Sequence, residues 1–530
     1  MNYKYRIAAF AGSVAVAALA GACNPDLNVT NPNAPDVARA VASPGDVRQL
    51  IGSSYNSWHQ GMQQACCAPT GSEPVPGLPT AVMADNMTMA FGNFGARFNG
   101  QEPRLAYNNS SSAGDGRVAS SPYDNMYGAL GAANDGLGAI KRGVKVAINK
   151  SAPDETPQMQ TFAYLVQGLT LGFEALIFDK GFVVDEDTAP GSATLQPYTA
   201  VSTAALAKFD KAIAAAGGKT WTIPIEFTPG MTLTAEKLAR MANTMAARQL
   251  AYTPRTAAEN AAVNWARVLS YADKGISSGT PFDLQIQGDA NIWYDELKGY
   301  AELESWVRVD QRVIQLADNT QPVVYTSVNP PPPVNSPDKR WGSEAANGTD
   351  FKFTKDIPFP SARGVHFFSQ WGHIRYVDHS YEVENPFLTI APYVLAAEND
   401  LLIAEALIRT NGDKSRAATL INKTRVGRGG LPALSGGSSN NDLLAAIFYE
   451  RDIELFATGA GQPWFDRRRI DVSLTYNTIP IGNTWGFRGG SGLQKGTPRH
   501  LPTPAKELET LGIPVYTYGG NSPNPVFPEM

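Results

Sequence analysis

The chain of 530 residues is 43% hydrophobic and 18% charged, a balance typical of a globular protein with a large core. Its formal net charge is −5, and its lysines and arginines form no run of the kind that binds nucleic acid, so that class of partner is set aside. Beyond the N-terminal region, no apolar stretch reaches the about 20 residues that a membrane-spanning helix needs.

The first 23 residues have the order of a secretory signal. Lys4 and Arg6 precede an apolar run over residues 7–20, which is short for a membrane span, and small residues follow it. Small residues that end at Cys23 resemble a bacterial lipobox, although Ala20 stands where leucine is usual. We therefore expect residues 1–22 to be a lipoprotein signal peptide and Cys23 to carry the lipid. The alternative is an ordinary secreted protein that is cut near the same point.

Residues 23–44 are rich in Asn, Pro and Ala, which predicts an extended tether that leads away from the lipid. Two further cysteines, Cys66 and Cys67, are adjacent in the sequence. Such a pair can close a strained disulfide in an oxidising compartment, or the two can be loop thiols without a chemical role. A metal site is disfavoured because only His59 stands near them.

Helical periodicity begins at Ser43 and returns throughout the chain. The apolar spacing predicts helices over residues 122–144, 161–179, 233–252, 257–274 and 393–409. Gly275 is expected at the C′ position of the fourth of these helices. After the last one, Asn411 and Gly412 form a short turn and Asp413 can cap the next helix, which predicts an antiparallel helical hairpin. Hairpins of this size suggest tetratricopeptide-like packing, although the consensus of that repeat is not visible.

Long segments without periodicity separate the helical blocks. They cover Gly181–Gln196, the proline run Pro330–Pro333 and the glycine-rich Gly427–Asn441. Loops of this length are usually binding surfaces or packed excursions. Because helical pairs occur both early and late, we expect residues 45–530 to form one domain.

Three motifs near the C-terminus resemble those of the SusD/RagB family. The first runs from Glu450 to Phe456 and continues with Gly459 and Trp464–Arg468, departing from the family only where Arg467 replaces leucine and between Phe456 and Trp464. The second is Ala404-Glu405-Ala406, with Asn422 and Arg425 on the following helix, and the third is Leu501-Pro502-Thr503-Pro504 with Glu507. No one motif is specific, but their order and spacing together are.

The resemblance implies a mainly α fold: tetratricopeptide-like hairpins, a large irregular ligand face and little β structure. It implies a non-catalytic lipoprotein of the outer membrane that faces the cell exterior and needs no cofactor. Such a protein binds an oligomeric nutrient, a glycan or a peptide, and delivers it to a SusC-like TonB-dependent transporter. The alternatives are a secreted glycan hydrolase and a structural lipoprotein that binds only other proteins.

Sequence motifs of common enzymes do not occur. There is no Walker loop, no dinucleotide fingerprint, no His-Glu-x-x-His and no Gly-x-Ser-x-Gly elbow. His366, His373 and His379 lie close in the sequence, with Asp378 as a further candidate ligand. Their spacing fits no common metal motif, so we expect a surface or loop role for them.

The first motif places two carboxylates four residues apart. Glu450 and Glu454 are neighbours on a helix, and like charges so close need a cation between them, for which Arg451, Arg467 or Arg468 is available. The functional interpretation is a catalytic carboxylate pair. We favour a structural ion network of Glu450, Arg451, Glu454 and Arg467 that holds the turn at Trp464 against its helix.

Saccharides and peptides are bound by exposed aromatic rings together with a few amide or guanidinium groups. Early and middle loops, which build the ligand site in the family, carry such residues, and we expect ligand contacts from Phe91, Asn93, Phe94, Arg97, Trp293, Tyr294 and Trp341. Trp371 with Tyr376 is a further pair. The alternative for each ring is that it packs beneath its own loop.

Overall fold

A computed structural model describes residues 43–63, 77–89, 96–113, 117–289, 292–293, 295–302, 307–322, 324–325, 329–357, 359–376, 390–470, 493–494 and 496–520. In these ranges the chain is mainly helical, which confirms the predicted fold class. The predicted signal peptide, Cys23, nearly all of the tether, Cys66 and Cys67 lie outside the described residues.

Most of the helices form one continuous layer. Its members are α1 (Pro44–Gln63), α4 (Arg117–Lys141), α5 (Thr156–Ile177), α6 (Tyr198–Ala216), α7 (Ala235–Tyr252), α9 (Trp265–Ala272), α12 (Ala396–Arg409), α13 (Lys414–Arg425) and α14 (Asn440–Glu454). In the order α1, α4, α5, α6, α7, α9, α12, each packs against the next, and α13 and α14 both pack against α12 and against each other. This is the stacked arrangement that the predicted hairpins suggested.

The hairpin of α12 and α13 follows its sequence signals. Asn411 adopts a positive φ of 53° in the turn, a conformation that asparagine tolerates better than most residues. The Asp413 side chain accepts a hydrogen bond from the backbone N–H of Arg416 at 3.0 Å and so caps α13. The predicted turn and the predicted cap are both confirmed.

The region predicted as one helix over residues 257–274 is two helices. Thr256 caps the short α8 (Ala257–Ala261), and the Asn264 side chain accepts from the N–H of Arg267 to start α9. A second capping residue inside the periodic stretch therefore interrupts it.

Gly275 does not occupy the predicted C′ position, because Asp273 is already the C-cap of α9. A Cβ at Gly275 would collide with the Thr244 hydroxyl and lie 2.5 Å from Asn399 Oδ1. This glycine is thus required by the close packing of α7 and α12 against the end of α9.

The remaining elements are short and belong to the irregular side of the molecule. The helices are α2 (Gly77–Met83), α3 (Ala96–Asn99), α10 (Glu296–Ala301), α11 (Gln311–Ala317), α15 (Gln462–Arg467) and α16 (Ala505–Thr510). Within the described ranges, eight strands form four antiparallel pairs: β1 (Met87–Thr88) with β5 (Arg308–Val309), β2 (Lys180–Phe182) with β3 (Leu195–Pro197), β4 (Leu284–Gln287) with β8 (Ile390–Val394), and β6 (Phe351–Phe353) with β7 (Trp371–His373).

Residues 496–520, here named the closing segment, return to the first half of the chain. Leu501 bridges to Phe178 and Gly519 bridges to Ala106. Asp179, only 5% exposed, accepts hydrogen bonds from the Thr503 N–H at 2.8 Å, the Tyr516 hydroxyl at 2.6 Å and the Tyr518 hydroxyl at 3.0 Å. The closing segment therefore joins the end of α5 to the irregular side.

Candidate functional site

The irregular side is assembled from segments far apart in the sequence. Strand β1 pairs with β5, which in turn packs against β7. The backbone N–H of Asp310 donates to the carbonyl of Asn86, and the Thr88 hydroxyl donates to the carbonyl of His366. Residues near 88, 308 and 366 thus share one surface.

Phe98 presents an aromatic ring on this surface. Its side chain is 45% exposed, and no other Phe, Trp or Tyr in the described ranges is in the exposed class. It lies on α3, which packs against α2, and the Arg104 guanidinium donates to the carbonyl of Asn99 at 3.3 Å and so holds the end of that short helix. Phe98 is therefore the described aromatic ring on which a ligand could stack.

Polar groups lie beside this ring. Arg97 is half-buried, and its Cζ is 5.6 Å from the centroid of the Phe98 ring. His366 Nε2 accepts a hydrogen bond from the Glu102 N–H at 3.4 Å. Burial lowers the pKa of His366, and the charges of Arg104, Arg312 and Arg97 lower it further against the opposing effect of Glu102. We name Arg97, Phe98, Glu102 and His366 the Phe98 surface.

A buried ion cluster supports the Phe98 surface from beneath. Arg104 pairs with Asp85, and Arg312 Nη1 lies 2.9 Å from Glu102 Oε1 and 3.4 Å from Asp85 Oδ1. Burial opposes ionisation of Asp85, but the guanidinium groups of Arg104 and Arg312 outweigh it and hold its pKa below the usual value. The cluster thus fixes Glu102 from below.

Asp310 in the same cluster behaves differently. It caps α11 through a hydrogen bond from the Arg312 N–H at 2.9 Å, and burial raises its pKa to about 7 despite the Arg312 charge. The nearby charges of Asp85 and Glu102 contribute to the rise. This carboxyl group therefore changes its protonation near neutral pH directly beneath the Phe98 surface.

The structure separates the aromatic residues that were expected to contact ligand. Phe91, Asn93, Phe94 and Tyr294 lie outside the described residues, so their expected role stays a prediction. Arg97 lies on the Phe98 surface. Its neighbour Phe98 was not among the expected residues. The sequence nevertheless places Phe98 directly after Arg97 and close to Phe91 and Phe94, which would have been a reason to include it.

The two remaining tryptophans are buried in this structure. Trp293 is 5% exposed and lies against Tyr55 and His59 of α1, with ring centroids 6.0 and 5.4 Å apart. Trp341 is 6% exposed and stacks on Phe351 at 4.2 Å. Protein groups cover these rings, which agrees with the alternative that an aromatic packs beneath its own loop.

The further pair is buried as well. Trp371 is 2% exposed and Tyr376 is 8% exposed. Trp371 meets Trp341 edge to face at 5.0 Å. These rings thus extend the core beneath the loops.

The cation between Glu450 and Glu454 is not the one that the sequence suggested. Arg340, from the loop before β6, donates to Glu450 at 2.7 and 2.9 Å and to Glu454 at 3.3 Å. The expectation of Arg451, Arg467 or Arg468 in this place was wrong, because the partner comes from a loop 110 residues away in the sequence. The side chains of Glu450 and Glu454 are 0% and 2% exposed, a burial that favours the structural interpretation over a catalytic pair.

Arg451 and Arg467 build a second network that does hold the Trp464 turn. Arg451 Nη1 donates to Glu405 at 2.7 Å and to Asp466 at 3.1 Å, and Arg467 donates to Asp452 at 2.9 Å. Burial opposes ionisation of Glu405, but the charges of Arg469, Arg451 and Arg409 bring its pKa well below the usual value. The first and second resemblance motifs therefore meet in space at Glu405.

The histidines do not converge in the part of the chain that the structure describes. His366 lies on the Phe98 surface, His373 is buried against Glu302, and His379 and Asp378 are outside the described residues. Within the described ranges, no group of three or more His, Cys, Asp or Glu side chains is placed to hold a metal ion. The helices described there include none with the length and hydropathy of a bilayer span.

Comparison with known proteins gives a consistent result. Residues 396–498 match the model of the SusD family. A SusD superfamily protein from Bacteroides thetaiotaomicron is 12% identical, with a TM-score of 0.55 over 88% of this chain and 98% of that one. Surface glycan-binding protein A from Bacteroides uniformis is 15% identical, with a TM-score of 0.56 over 88% of this chain and 97% of that one.

A SusD-like carbohydrate binding protein from Bacteroides fragilis is 14% identical, with a TM-score of 0.52 over 81% of this chain and 86% of that one. No curated protein matches the chain significantly in sequence. The solved structures are too distant in sequence to show more than the fold, but the family match covers α12 to α15, which carry the carboxylates Glu405, Glu450 and Glu454 of the two ion networks. The chain therefore has the fold of SusD-like proteins, and its residues 396–498 match the SusD family model.

Proposed function

We propose that this protein is a cell-surface lipoprotein that binds an oligomeric glycan with its irregular side and delivers it to a SusC-like TonB-dependent transporter. Two structures of the same fold are named for glycan or carbohydrate binding, which supports this ligand class. The signal sequence and Cys23 support the anchored location. The transporter as partner follows from the family resemblance.

The exposed ring of Phe98 is the observation on which the binding site depends. An aromatic face can cover the apolar face of a sugar ring, while Arg97 and the neutral His366 can orient its hydroxyl groups. The ion cluster of Asp85, Arg104 and Arg312 supports this surface before ligand arrives, so that little ordering cost opposes binding.

Phe98→Ala tests the proposal. Aromatic stacking contributes about 0.5–1.5 kcal/mol, so loss of the ring is expected to weaken binding roughly 2- to 13-fold. Affinity electrophoresis and calorimetry against a panel of polysaccharides measure this. Ile225→Ala removes another exposed apolar side chain (56%) elsewhere and is expected to leave affinity unchanged. Equal affinity of Phe98→Ala and the parent protein would refute the site.

The two alternatives have distinct outcomes in the same assay. A hydrolase would release new reducing ends from a polysaccharide, whereas a binding protein retards migration without cleavage. A lipoprotein that binds only other proteins would show no affinity for any glycan or peptide in the panel. Retention of a SusC-like transporter by the purified protein, in detergent, tests the delivery step.

A further inference from the structure

A concave site lies between the closing segment and the chain that follows the Phe98 surface. Residues 107–111, residues 515–517 and Glu509 line a groove of about 460 Å³, here named the polar groove. This volume is within the roughly 300–1,000 Å³ that small-molecule sites occupy. None of these residues belongs to the Phe98 surface.

Internal hydrogen bonds fix the walls of the polar groove. The buried Asn109 donates to the carbonyls of Thr503 at 3.0 Å and Tyr516 at 2.9 Å, and its Oδ1 accepts from the N–H of Ala505 at 3.2 Å. The Tyr516 hydroxyl donates to Asp179 at 2.6 Å. One amide side chain thus joins both walls, and the shape of the groove exists before any ligand binds.

Other polar groups of the groove remain available. Among the described residues, no hydrogen bond or ion pair engages the Ser111 hydroxyl, the Glu509 carboxylate or the Asn108 side-chain N–H groups. All three side chains are exposed. A carboxylate, an amide and a hydroxyl together offer acceptors and donors that match the hydroxyl groups of a sugar.

The charge of the groove selects among sugars. No lysine or arginine is among its lining residues, and the one charged lining group is the Glu509 carboxylate. Lys180 lies outside the lining, with its Nζ 5.4 Å from the centroid of the Tyr516 ring. An anionic sugar would therefore meet a carboxylate without a compensating lining cation, and a neutral sugar would not.

We propose that the polar groove is a second subsite for a neutral, hydroxyl-rich sugar unit. The choice of a saccharide rests on the proposed glycan-binding function, whereas the preference for a neutral one comes from the groove itself. Phe98 and Tyr107 are nine residues apart, which limits their separation to about 30 Å. A single oligosaccharide of sufficient length can therefore occupy both sites, and its affinity then exceeds that of either site alone.

A fluorescent label at the rim tests the groove directly. The full chain carries Thr510→Cys as its one cysteine, with Cys23, Cys66 and Cys67 changed to serine, and is labelled with bimane. Maltohexaose, xylohexaose, mannohexaose and hexagalacturonate are titrated, with calorimetry in parallel. We expect a saturable emission change with at least one neutral hexasaccharide and none with hexagalacturonate. The same label at Ser151→Cys, an exposed turn residue elsewhere, controls for non-specific effects.

Blocking variants complete the test. Ser111→Trp fills the groove and Glu509→Ala removes its carboxylate, and each is expected to weaken the labelled response by about tenfold, whereas Ser151→Trp leaves it unchanged. Phe98→Ala is expected to preserve a response at the groove. Binding in calorimetry without any response of the label, or an unaltered response in Ser111→Trp, would overturn the groove alone. If no hexasaccharide binds in either measurement, the proposed function and the groove both fall.

Discussion

Glu174 on α5 is a carboxyl group in a place that does not favour a charge. It is 1% exposed, and neither of its oxygens has a hydrogen-bond partner among the described residues. Burial, and secondarily the charge of Asp124, raises the pKa of Glu174 well above its usual value of 4.5. The folded protein therefore binds a proton at Glu174 more tightly than the unfolded chain does.

This raised pKa predicts a pH-dependent gain from Glu174→Gln. The folded protein loses stability as the pH rises from about 4.5 through the folded-state pKa, at about 1.4 kcal/mol for each pH unit of that window. The glutamine variant avoids this loss, so urea denaturation at pH 7 is expected to show it as more stable by at least about 1 kcal/mol. The difference should vanish below pH 4.5.

The exposed Glu236 provides the control. Its side chain is 76% exposed, and Glu236→Gln is expected to unfold like the parent protein at every pH. The opposite result would be a stability of Glu174→Gln, relative to the parent, that is lower at pH 7 than at pH 4. It would show that the carboxylate is charged and paired in the folded protein.

Helix α14 shows how an element is tied to parts of the chain that its own sequence does not reveal. Glu454 lies 3.3 Å from Arg340, 3.0 Å from Arg375 and 2.5 Å from Arg428. These three cations come from three separate loops outside the helix. The glutamate therefore joins α14 to the irregular side while remaining far from solvent.

Glu454→Ala is expected to destabilise the protein without changing its ligand affinity. Removal of one partner of a buried ion network leaves unpaired charges and costs about 3–5 kcal/mol. Thermal unfolding measures the loss, and calorimetry on the folded fraction measures affinity. Glu344→Ala, which breaks an exposed pair with Lys355, is expected to cost no more than about 1 kcal/mol. Lost affinity at an unchanged melting temperature would assign Glu454 to ligand binding instead.

Long helices of several turns were predictable from the sequence, whereas short helices and strands were not. Helices α5 and α7 bury apolar residues over several turns, so their periodicity is visible without any knowledge of the fold. Strand β1 has two residues, too few to show an alternation. Its pairing with β5 depends on contacts between segments more than 200 residues apart.

The candidate site was predictable only in part for the same reason. Arg97 could be named because it stands beside aromatic residues in the sequence, but exposure separates Phe98 from Trp341, and exposure is decided by distant loops. Arg340 could not be predicted as the ion-pair partner of Glu450, because the local sequence around neither residue indicates this contact. At both sites the residue types could be recognised from the sequence, whereas the contacts of each residue became visible only in the folded structure.

At the scale of the whole molecule, we predict that anchoring depends on Cys23. The signal sequence predicts that this cysteine carries the lipid, and the residues after it predict a tether to α1. Cys23→Ala is therefore expected to move the protein from the membrane fraction to the medium or the periplasm, as shown by fractionation and by mass spectrometry of the N-terminal peptide. Continued membrane retention in cells without the transporter would contradict the lipid anchor.

The return of the closing segment to Asp179 affects the order in which the molecule is completed. Asp179 is hydrogen-bonded to Thr503, which follows it by 324 residues. A nascent chain that folds from its N-terminus can build the early hairpins, but this carboxylate lacks its donors until translation is almost finished. Final consolidation of the fold therefore waits until the last stretch of polypeptide is available to supply these donors.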